Sequence, residues 1–201
     1  MLTAHDLSCV RGERPLFSGL DFEVGAGEWL HVRGANGSGK TSLLRLLAGL
    51  ATPAAGDIRW CGKSTREDAQ AYRQDLLFLG HHGAVKEELT ALENLEFAAE
   101  LDGCHLERAD VISALGRFGL KGREHLPVRF LSAGQKRRVL LARLMTRKAR
   151  LWVLDEPFTA LDTRAVDMLG KLVGEHLAEG GMAVVTSHQA VPLADGKAIE
   201  L

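Results

Sequence analysis

One short segment, residues 28–50, restricts the fold of this chain more than any other. Residues 28–33 predict a strand, and a glycine-rich loop follows them. After the loop, leucines recur at the spacing of one face of an amphipathic helix, which Gly49 and Pro53 are predicted to end. The leucines are Leu43, Leu46, Leu47 and Leu50, and the loop consists of Gly34, Ala35, Asn36, Gly37, Ser38, Gly39, Lys40 and Thr41. A strand, this loop and a helix in that order predict a cradle for phosphate groups.

The loop offers several kinds of phosphate ligand. Its glycines let backbone N–H groups point at phosphate oxygens, and the following helix adds its positive end to the same field. Lys40 is predicted to neutralise the β- and γ-phosphates of a nucleoside triphosphate, and Thr41 to supply a hydroxyl to Mg²⁺. The alternative is a flexible glycine turn that happens to carry a lysine.

A pair of carboxylates, Asp155 and Glu156, directly follows the apolar residues 151–154. Such a run predicts a strand buried on both faces, and open α/β sheets place ligand-handling groups at the carboxyl ends of their strands. Asp155 is predicted to hold Mg²⁺ through a water, and Glu156 to orient and deprotonate an attacking water. The alternative is an acidic pair at a helix N-terminus beside Pro157.

A second glycine-containing segment consists of Leu131, Ser132, Ala133, Gly134 and Gln135. The serine and the glutamine three residues later match a capping box, which predicts a helix that runs to residue 147. A helix N-terminus with a hydroxyl and a glycine suits an anion that approaches closely. The alternative is an ordinary capping box without a ligand.

The remaining patterns predict alternating strands and helices. Residues 20–24 and 182–186 predict strands, residues 162–177 predict a helix, and the region from about 83 to 129 is predicted to be helical. Alternation of this kind predicts an α/β fold with a mostly parallel sheet covered by helices on both sides. We expect a single domain over residues 1–201, with a helical subdomain at about residues 83–147.

Composition excludes several classes of protein. The net charge of −1 gives no general attraction to nucleic acid, so no nucleic-acid partner is expected. The three cysteines are scattered, which suits a reducing compartment. We see neither a secretory signal nor an apolar run of the roughly 18 residues that span a bilayer. A membrane role is therefore expected to come through a partner.

Together the motifs make the chain resemble the ATP-binding subunits of ABC transporters over essentially its whole length. Residues 34–41 match the Walker A motif, residues 131–135 the signature, and residues 151–156 the Walker B motif. Residues 159–162 match the D-loop, and His188 matches the switch histidine. The resemblance implies a P-loop NTPase of the ABC type with an N-terminal antiparallel β portion, and ATP and Mg²⁺ as its ligands.

The resemblance also implies a second copy of the chain, packed head to tail against the first. ATP bound by residues 34–41 of one copy would be covered by Ser132 and Gly134 of the other. Asp162 would lie at the interface between the copies, and His188 would contact the γ-phosphate. Lys40, Glu156 and His188 are the catalytic residues that the resemblance implies.

Two positions depart from the ABC pattern, and both are candidate nucleotide contacts. His81 stands where the family has its Q-loop glutamine; an imidazole can hold water or sense a γ-phosphate, and it can also protonate near neutral pH. Arg11 stands near the place of an aromatic that stacks on adenine, and a guanidinium plane can replace that ring. The alternative for Arg11 is a solvated turn residue.

Longer stretches of the sequence resemble one particular group of ABC ATP-binding subunits. Residues 79–83, 89–95 and 155–162 resemble the ATP-binding subunits of cytochrome c maturation haem exporters. This implies integral membrane subunits of that system as partners, and a peripheral location on the cytoplasmic face of the inner membrane. ATP turnover would drive haem export, or release of a haem-loaded chaperone. The chain has no C-x-x-C-H motif, and direct haem binding is not expected.

Three other functions stay open at this point. An ABC subunit for a different substrate would have the same motifs, because the membrane subunits select the cargo. A small-molecule or nucleoside kinase would also use a P-loop, but it would need neither the Ser132 segment nor a second copy. A soluble DNA-repair or translation ABC protein would usually carry two cassettes, long coiled coils or a basic face, and the sequence predicts none of these.

Overall fold

The computed structural model describes residues 1–80, 85–188, 191–194 and 196–201. His81 lies outside the described residues, so its predicted role stays a prediction. The chain divides into two compact units. The sheet unit comprises Met1–Phe78, Ala149–Pro157 and Gly170–Leu201, and the helical unit comprises Leu79–Lys148 and Phe158–Leu169. Within the described part of the chain, no helix has the length and apolar character needed to cross a membrane.

The described residues form strands and helices, including several that the sequence patterns did not predict. In chain order they are β1 (Leu2–Arg11), β2 (Arg14–Val24), β3 (Trp29–Arg33), α1 (Lys40–Leu47), β4 (Ala55–Trp60), β5 (Lys63–Ser64), α2 (Ala69–Asp75), β6 (Leu76–Leu79), α3 (Ala91–Leu101), α4 (Arg108–Arg117), a 3₁₀ turn (Val128–Phe130), α5 (Ala133–Thr146), β7 (Leu151–Leu154), α6 (Thr163–Ala178), β8 (Met182–Thr186) and β9 (Lys197–Glu200).

Two sheets confirm the predicted α/β class with a parallel sheet and an antiparallel β portion. The first has the order β2-β1-β4-β5, and its pairs are antiparallel. The second has the order β6-β7-β8-β3-β9, and β7, β8, β3 and β9 pair in parallel. Because β3 and β7 each neighbour β8, the loop that follows β3 and the carboxylates that follow β7 emerge at the same edge.

The core of the sheet unit explains why its central strands read as continuous apolar runs. All residues of β7 and β8 are buried, as expected for parallel strands with both faces covered. Leucines of α1 pack into the same cluster. The fully or almost fully buried members of this cluster include Leu2, Leu7, Val24, Leu30, Val32, Leu43, Leu44, Leu47, Leu151, Val153, Met182 and Val184.

Two helices of the helical unit begin with the N-terminal capping boxes that the sequence predicts. The hydroxyl of Thr90 accepts the N–H of Glu93, whose carboxylate accepts the Thr90 N–H, so α3 begins with a capping box. Ser132 and Gln135 make the same pair of bonds at the start of α5. Helices α3, α4 and α5 contact one another through buried apolar residues. These residues include Leu92, Leu95, Val111, Leu115, Phe118, Leu140 and Leu141.

The predicted apolar stripe of α1 is wrong at its last member. Helix α1 ends at Leu47, and Leu50 is 57% exposed. Gly49 adopts φ +67°, the N–H of Leu50 bonds to the carbonyl of Arg45, and the N–H of Gly49 bonds to that of Leu46. These two bonds form a Schellman motif, which turns the chain away before Leu50 can join the buried face.

Candidate nucleotide-binding and hydrolysis site

The glycine loop joins β3 to α1 through a backbone that only glycine adopts easily. Gly39 immediately precedes α1 with φ +115°. A β-carbon at this position would lie 3.2 Å from side-chain atoms of Leu16 and Phe17, so the packing of β2 also requires a glycine there. The turn makes Lys40 the first residue of α1, with its side chain buried. The positive end of the helix therefore begins within the loop.

The side chains of the loop are arranged around its own carbonyl groups. The Lys40 ammonium donates to the carbonyls of Gly34 at 2.7 Å and Ala35 at 3.1 Å, which holds the charge over the loop. Ser38 Oγ is buried, and it has no hydrogen-bond partner among the described residues. A buried hydroxyl in that state is a ready donor to a phosphate oxygen, so the loop fits the triphosphate predicted for it.

Thr41 and Asp155 meet at the edge of the sheet. The Thr41 hydroxyl donates to Asp155 Oδ2 at 2.9 Å, and the carboxylate is almost completely buried. Because this bond uses the proton of the hydroxyl, the lone pairs of Thr41 Oγ1 stay available as ligands. A hydroxyl oxygen and a carboxylate oxygen are the donors that Mg²⁺ takes beside substrate phosphates and water. The residues therefore fit the magnesium ion predicted from the sequence.

Asp155 and Glu156 are both bonded to Thr186, the last residue of β8. Thr186 Oγ1 donates to Asp155 Oδ1 at 2.8 Å and accepts the backbone N–H of Glu156 at 2.8 Å. Glu156 has φ +49°, a left-handed conformation that is uncommon for a residue with a side chain. The Thr186 hydroxyl thus bonds the turn after β7 to β8 at two points.

His188 lies beside the carboxylate of Glu156. The His188 ring nitrogen Nε2 is 3.3 Å from Glu156 Oε1, and the His188 N–H donates to Glu156 Oε2 at 3.3 Å. The Glu156 side chain is 14% exposed and the His188 ring 50% exposed, so the pair opens toward solvent on the histidine side. The predicted base and the predicted switch histidine are therefore brought together.

A further histidine, His31 on β3, supports the residue before His188. His31 Nε2 lies 3.2 Å from the carbonyl oxygen of Ser187, and Arg33 Nε donates to His31 Nδ1 at 3.0 Å. With Nδ1 accepting, Nε2 carries the proton and donates to Ser187. Burial of the ring lowers the pKa of His31, which favours the neutral imidazole.

In the helical unit, the predicted signature residues begin α5 beside the predicted D-loop. A β-carbon on Gly134 would lie 2.9 Å from the carbonyl oxygen of Ala160, so the segments touch backbone to backbone. Asp162 Oδ1 accepts the N–H of Ala165 in α6, and its Oδ2 is 2.5 Å from Nη2 of Arg138 on α5. The Ala165 N–H and the Arg138 charge lower the pKa of Asp162.

Arg11 is exposed at the end of β1, opposite Arg14 across the hairpin. Its predicted stacking on adenine, like every role predicted above for a site residue, stays a prediction.

No sequence motif identifies Thr186 or His31 as part of the site. Thr186 belongs to a buried strand that ends in two hydroxyl residues just before His188, and this pattern is visible in the sequence. The pattern points to the site only once the register Leu154↔Val185 is known, because this register places Asp155 beside Thr186. His31 likewise depends on β3 lying next to β8.

A glycine loop between a parallel strand and a helix, with a carboxylate pair on a nearby strand, defines a P-loop nucleotide-binding protein. Residues 17–159 match the sequence profile of the ABC transporter family. The chain belongs to this family, and it is an ABC-type ATPase.

Several curated relatives match over nearly the whole chain. It is 56% identical over 201 residues to the cytochrome c biogenesis ATP-binding export protein CcmA of Dechloromonas aromatica, covering all of this chain and 98% of that one. Proteins of the same name match at 51% in Nitrosomonas europaea, over 94% of this chain and 89% of the relative, and at 49% in Escherichia coli K12, over 98% and 93%.

Solved structures show the same fold. An ABC transporter ATP-binding protein described as putative, from Pyrococcus furiosus, is similar with a TM-score of 0.85 and 25% identity, over 100% of this chain and 96% of that one. A bacterial ABC transporter cassette that was solved as a dimer has a TM-score of 0.87 and 22% identity, over 100% and 94%. The second likeness concerns the fold alone.

Proposed function

We propose that this chain is the ATP-hydrolysing subunit of a membrane export complex in cytochrome c biogenesis. The observation that carries the catalytic part is the constellation at the carboxyl edge of the sheet: Thr41 on Asp155, and His188 on Glu156. The relatives at 49–56% identity, named as cytochrome c biogenesis ATP-binding export proteins, support the biological setting. ATP turnover would be coupled to haem export or to release of a haem-loaded chaperone.

The proposed reaction transfers the terminal phosphoryl group of ATP to water. Backbone N–H groups of residues 34–39 and the Lys40 ammonium bind the phosphates, while Thr41 and Asp155 hold Mg²⁺. Bound Mg²⁺ neutralises charge on the phosphate oxygens. Glu156 accepts a proton from the attacking water, whose oxygen bonds to the γ-phosphorus as the bond to the ADP oxygen breaks. His188 contacts the γ-phosphate and keeps the Glu156 carboxylate in place.

Two copies of the chain would complete each site. In the proposed head-to-tail dimer, the signature residues Leu131, Ser132, Ala133, Gly134 and Gln135 of one copy cover the ATP held by the other, and Asp162 lies at the interface. The capping box that fixes the start of α5, and the dimer seen for a bacterial cassette of the same fold, support this arrangement.

The membrane partners would be the integral subunits of the cytochrome c maturation system. The chain would then lie peripherally on the cytoplasmic face of the inner membrane, held there by those subunits. Haem would be handled by the partners, and neither direct haem binding by this chain nor a nucleic-acid partner is proposed.

The experiment replaces the chromosomal gene with a tagged copy, either wild type, Glu156→Gln or the exposed control Glu67→Gln. We expect wild type and E67Q to support covalent haem attachment to c-type cytochromes, and E156Q to abolish it while still co-purifying with the same membrane subunits. Purified wild-type complex should release inorganic phosphate from ATP. Recovery of an unrelated permease, normal cytochrome c with E156Q, or phosphate transfer to a metabolite would contradict the proposal.

A further inference from the structure

Thr186 occupies a position in the sheet unit that no motif explains. It is the last residue of β8 and is completely buried, with 0% exposure. The parallel register pairs Val185 with Leu154, so Thr186 faces the first residue after β7. At this point an apolar β-branched residue would continue the buried strand equally well. A threonine here therefore has a use for its hydroxyl.

The hydroxyl makes two bonds whose directions are fixed by its single proton. The Asp155 carboxylate can only accept, so it takes that proton at 2.8 Å. The Glu156 N–H can only donate, so it takes a lone pair of the same oxygen at 2.8 Å. One atom thus orients a carboxylate and, independently, the backbone from which the next carboxylate departs.

The bond from the Glu156 N–H to Thr186 matters for the site because the Glu156 backbone is in an uncommon conformation. A residue with a side chain at φ +49° persists only where its surroundings hold it. In the described part of the turn, Thr186 holds the Glu156 N–H. The Glu156 side chain that departs from this backbone lies 3.3 Å from Nε2 of His188.

We propose that Thr186 is a positioning residue for ATP hydrolysis, and that its hydroxyl aligns Glu156 and Asp155 from one point on β8. The inference rests on the proposed function, in which Glu156 activates water. Because Thr186 is completely buried, its proposed role is to act through these two residues and not by contact with the substrate. Its contribution is to keep the base in line with the attacked phosphorus, where small displacements cost much of the rate.

The decisive comparison is Thr186→Val against Thr186→Ser in the purified complex. Valine keeps the branched shape and loses the hydroxyl, whereas serine keeps the hydroxyl. We expect T186V to lower kcat for ATP hydrolysis about 10- to 100-fold, as loss of one or two well-aligned hydrogen bonds would. T186S should stay within about threefold of wild type, and KM for ATP should change less than about twofold in both.

Two further measurements separate positioning from damage to the fold. Affinity for a fluorescent ADP analogue should match wild type in T186V, because residues 34–40 are untouched. In the E156Q background, T186V should lower the residual hydrolysis by a smaller factor than in the wild-type background, because the contribution through Glu156 is already lost and only the alignment of Asp155 remains. If T186V does not fold, T186S against Thr186→Ala gives the same test, because these two variants differ by one oxygen.

Equal kcat values for T186V and T186S, or a full additional loss in the E156Q background, would overturn the inference while leaving the proposed function intact. Absence of hydrolysis in the wild-type complex would instead overturn the proposed function.

Discussion

Replacing Asp102 with asparagine is expected to loosen the helical unit. Asp102 follows α3, and its carboxylate joins two arginines of α5 and its C-terminal end. Oδ2 accepts from Arg143 Nη2 at 3.3 Å, and Oδ1 pairs with Arg147 Nη1. The three side chains are only 15–19% exposed, so water can replace few of the hydrogen bonds that the two arginines make to the carboxylate.

The magnitude follows from that burial. A hydrogen bond to a charged group contributes about 1.5–3 kcal/mol, and removing one partner of a fully buried ion pair costs about 3–5 kcal/mol. Because about a fifth of the Asp102 side chain remains exposed, we expect D102N to cost about 2–3 kcal/mol of unfolding free energy. The matched control is Glu88→Gln, whose partner Arg129 lies at 2.8 Å but with side-chain exposures of 78% and 52%. Its cost should stay below about 1 kcal/mol.

The chain allows the two units to be followed separately during urea unfolding. Its three tryptophans, Trp29, Trp60 and Trp152, all belong to the sheet unit, whereas far-UV circular dichroism also reports α3, α4 and α5. With a slope of about 2 kcal/mol per molar urea, D102N should lower the circular-dichroism midpoint by about 1 M. A D102N midpoint indistinguishable from that of E88Q would refute the reasoning that burial sets the strength of this ion pair.

Two further predictions use the same unfolding assay. Burial lowers the pKa of His176 despite its bond to the Met182 carbonyl, so the unfolded chain binds the proton more readily and the free energy of unfolding should fall as pH drops below about 6.5. His176→Gln should reduce the difference in unfolding free energy between about pH 7.5 and about pH 5.5, and an unchanged difference would count against this prediction. Gly134→Ala should lower the free energy of unfolding by about 1–3 kcal/mol, because its β-carbon would crowd the Ala160 carbonyl. The control is Gly116→Ala in α4, where a β-carbon meets nothing within 4 Å, and it should raise the free energy of unfolding by up to about 1 kcal/mol. Equal effects of the two substitutions would contradict the predicted crowding.

Local sequence patterns predicted the parts of the fold that depend on neighbouring residues. The capping boxes at Thr90 and Ser132 and the buried strand β7 are where the patterns placed them, because each needs only residues a few positions apart. The exception, Leu50, is also local: the leucine spacing continued past a glycine whose left-handed turn ends the helix.

The supporting contacts of the candidate site could not be predicted in the same way. The carboxylates after β7 were visible as a motif, but their bonds to Thr186 depend on β8 being the neighbour of β7 in a sheet ordered β6-β7-β8-β3-β9. That order does not follow the chain, and several connections would satisfy the same strand and helix pattern. Motifs therefore identify the residues expected to act on the substrate, whereas strand order determines which residues hold them.

His31 gives the sharpest remaining test of that distinction, because its role depends entirely on β3 lying beside β8. Its Nε2–H bond to the Ser187 carbonyl ties the strand before the glycine loop to the residue before His188. His31→Leu removes the donor, whereas the side-chain amide of His31→Gln can still donate to the same carbonyl. We expect H31L to cost about 1–2 kcal/mol in tryptophan-detected unfolding and to lower ATP hydrolysis, with H31Q close to wild type in both. If H31Q behaves like H31L, the ring is needed for packing beside Trp29 and not for the bond that steadies His188.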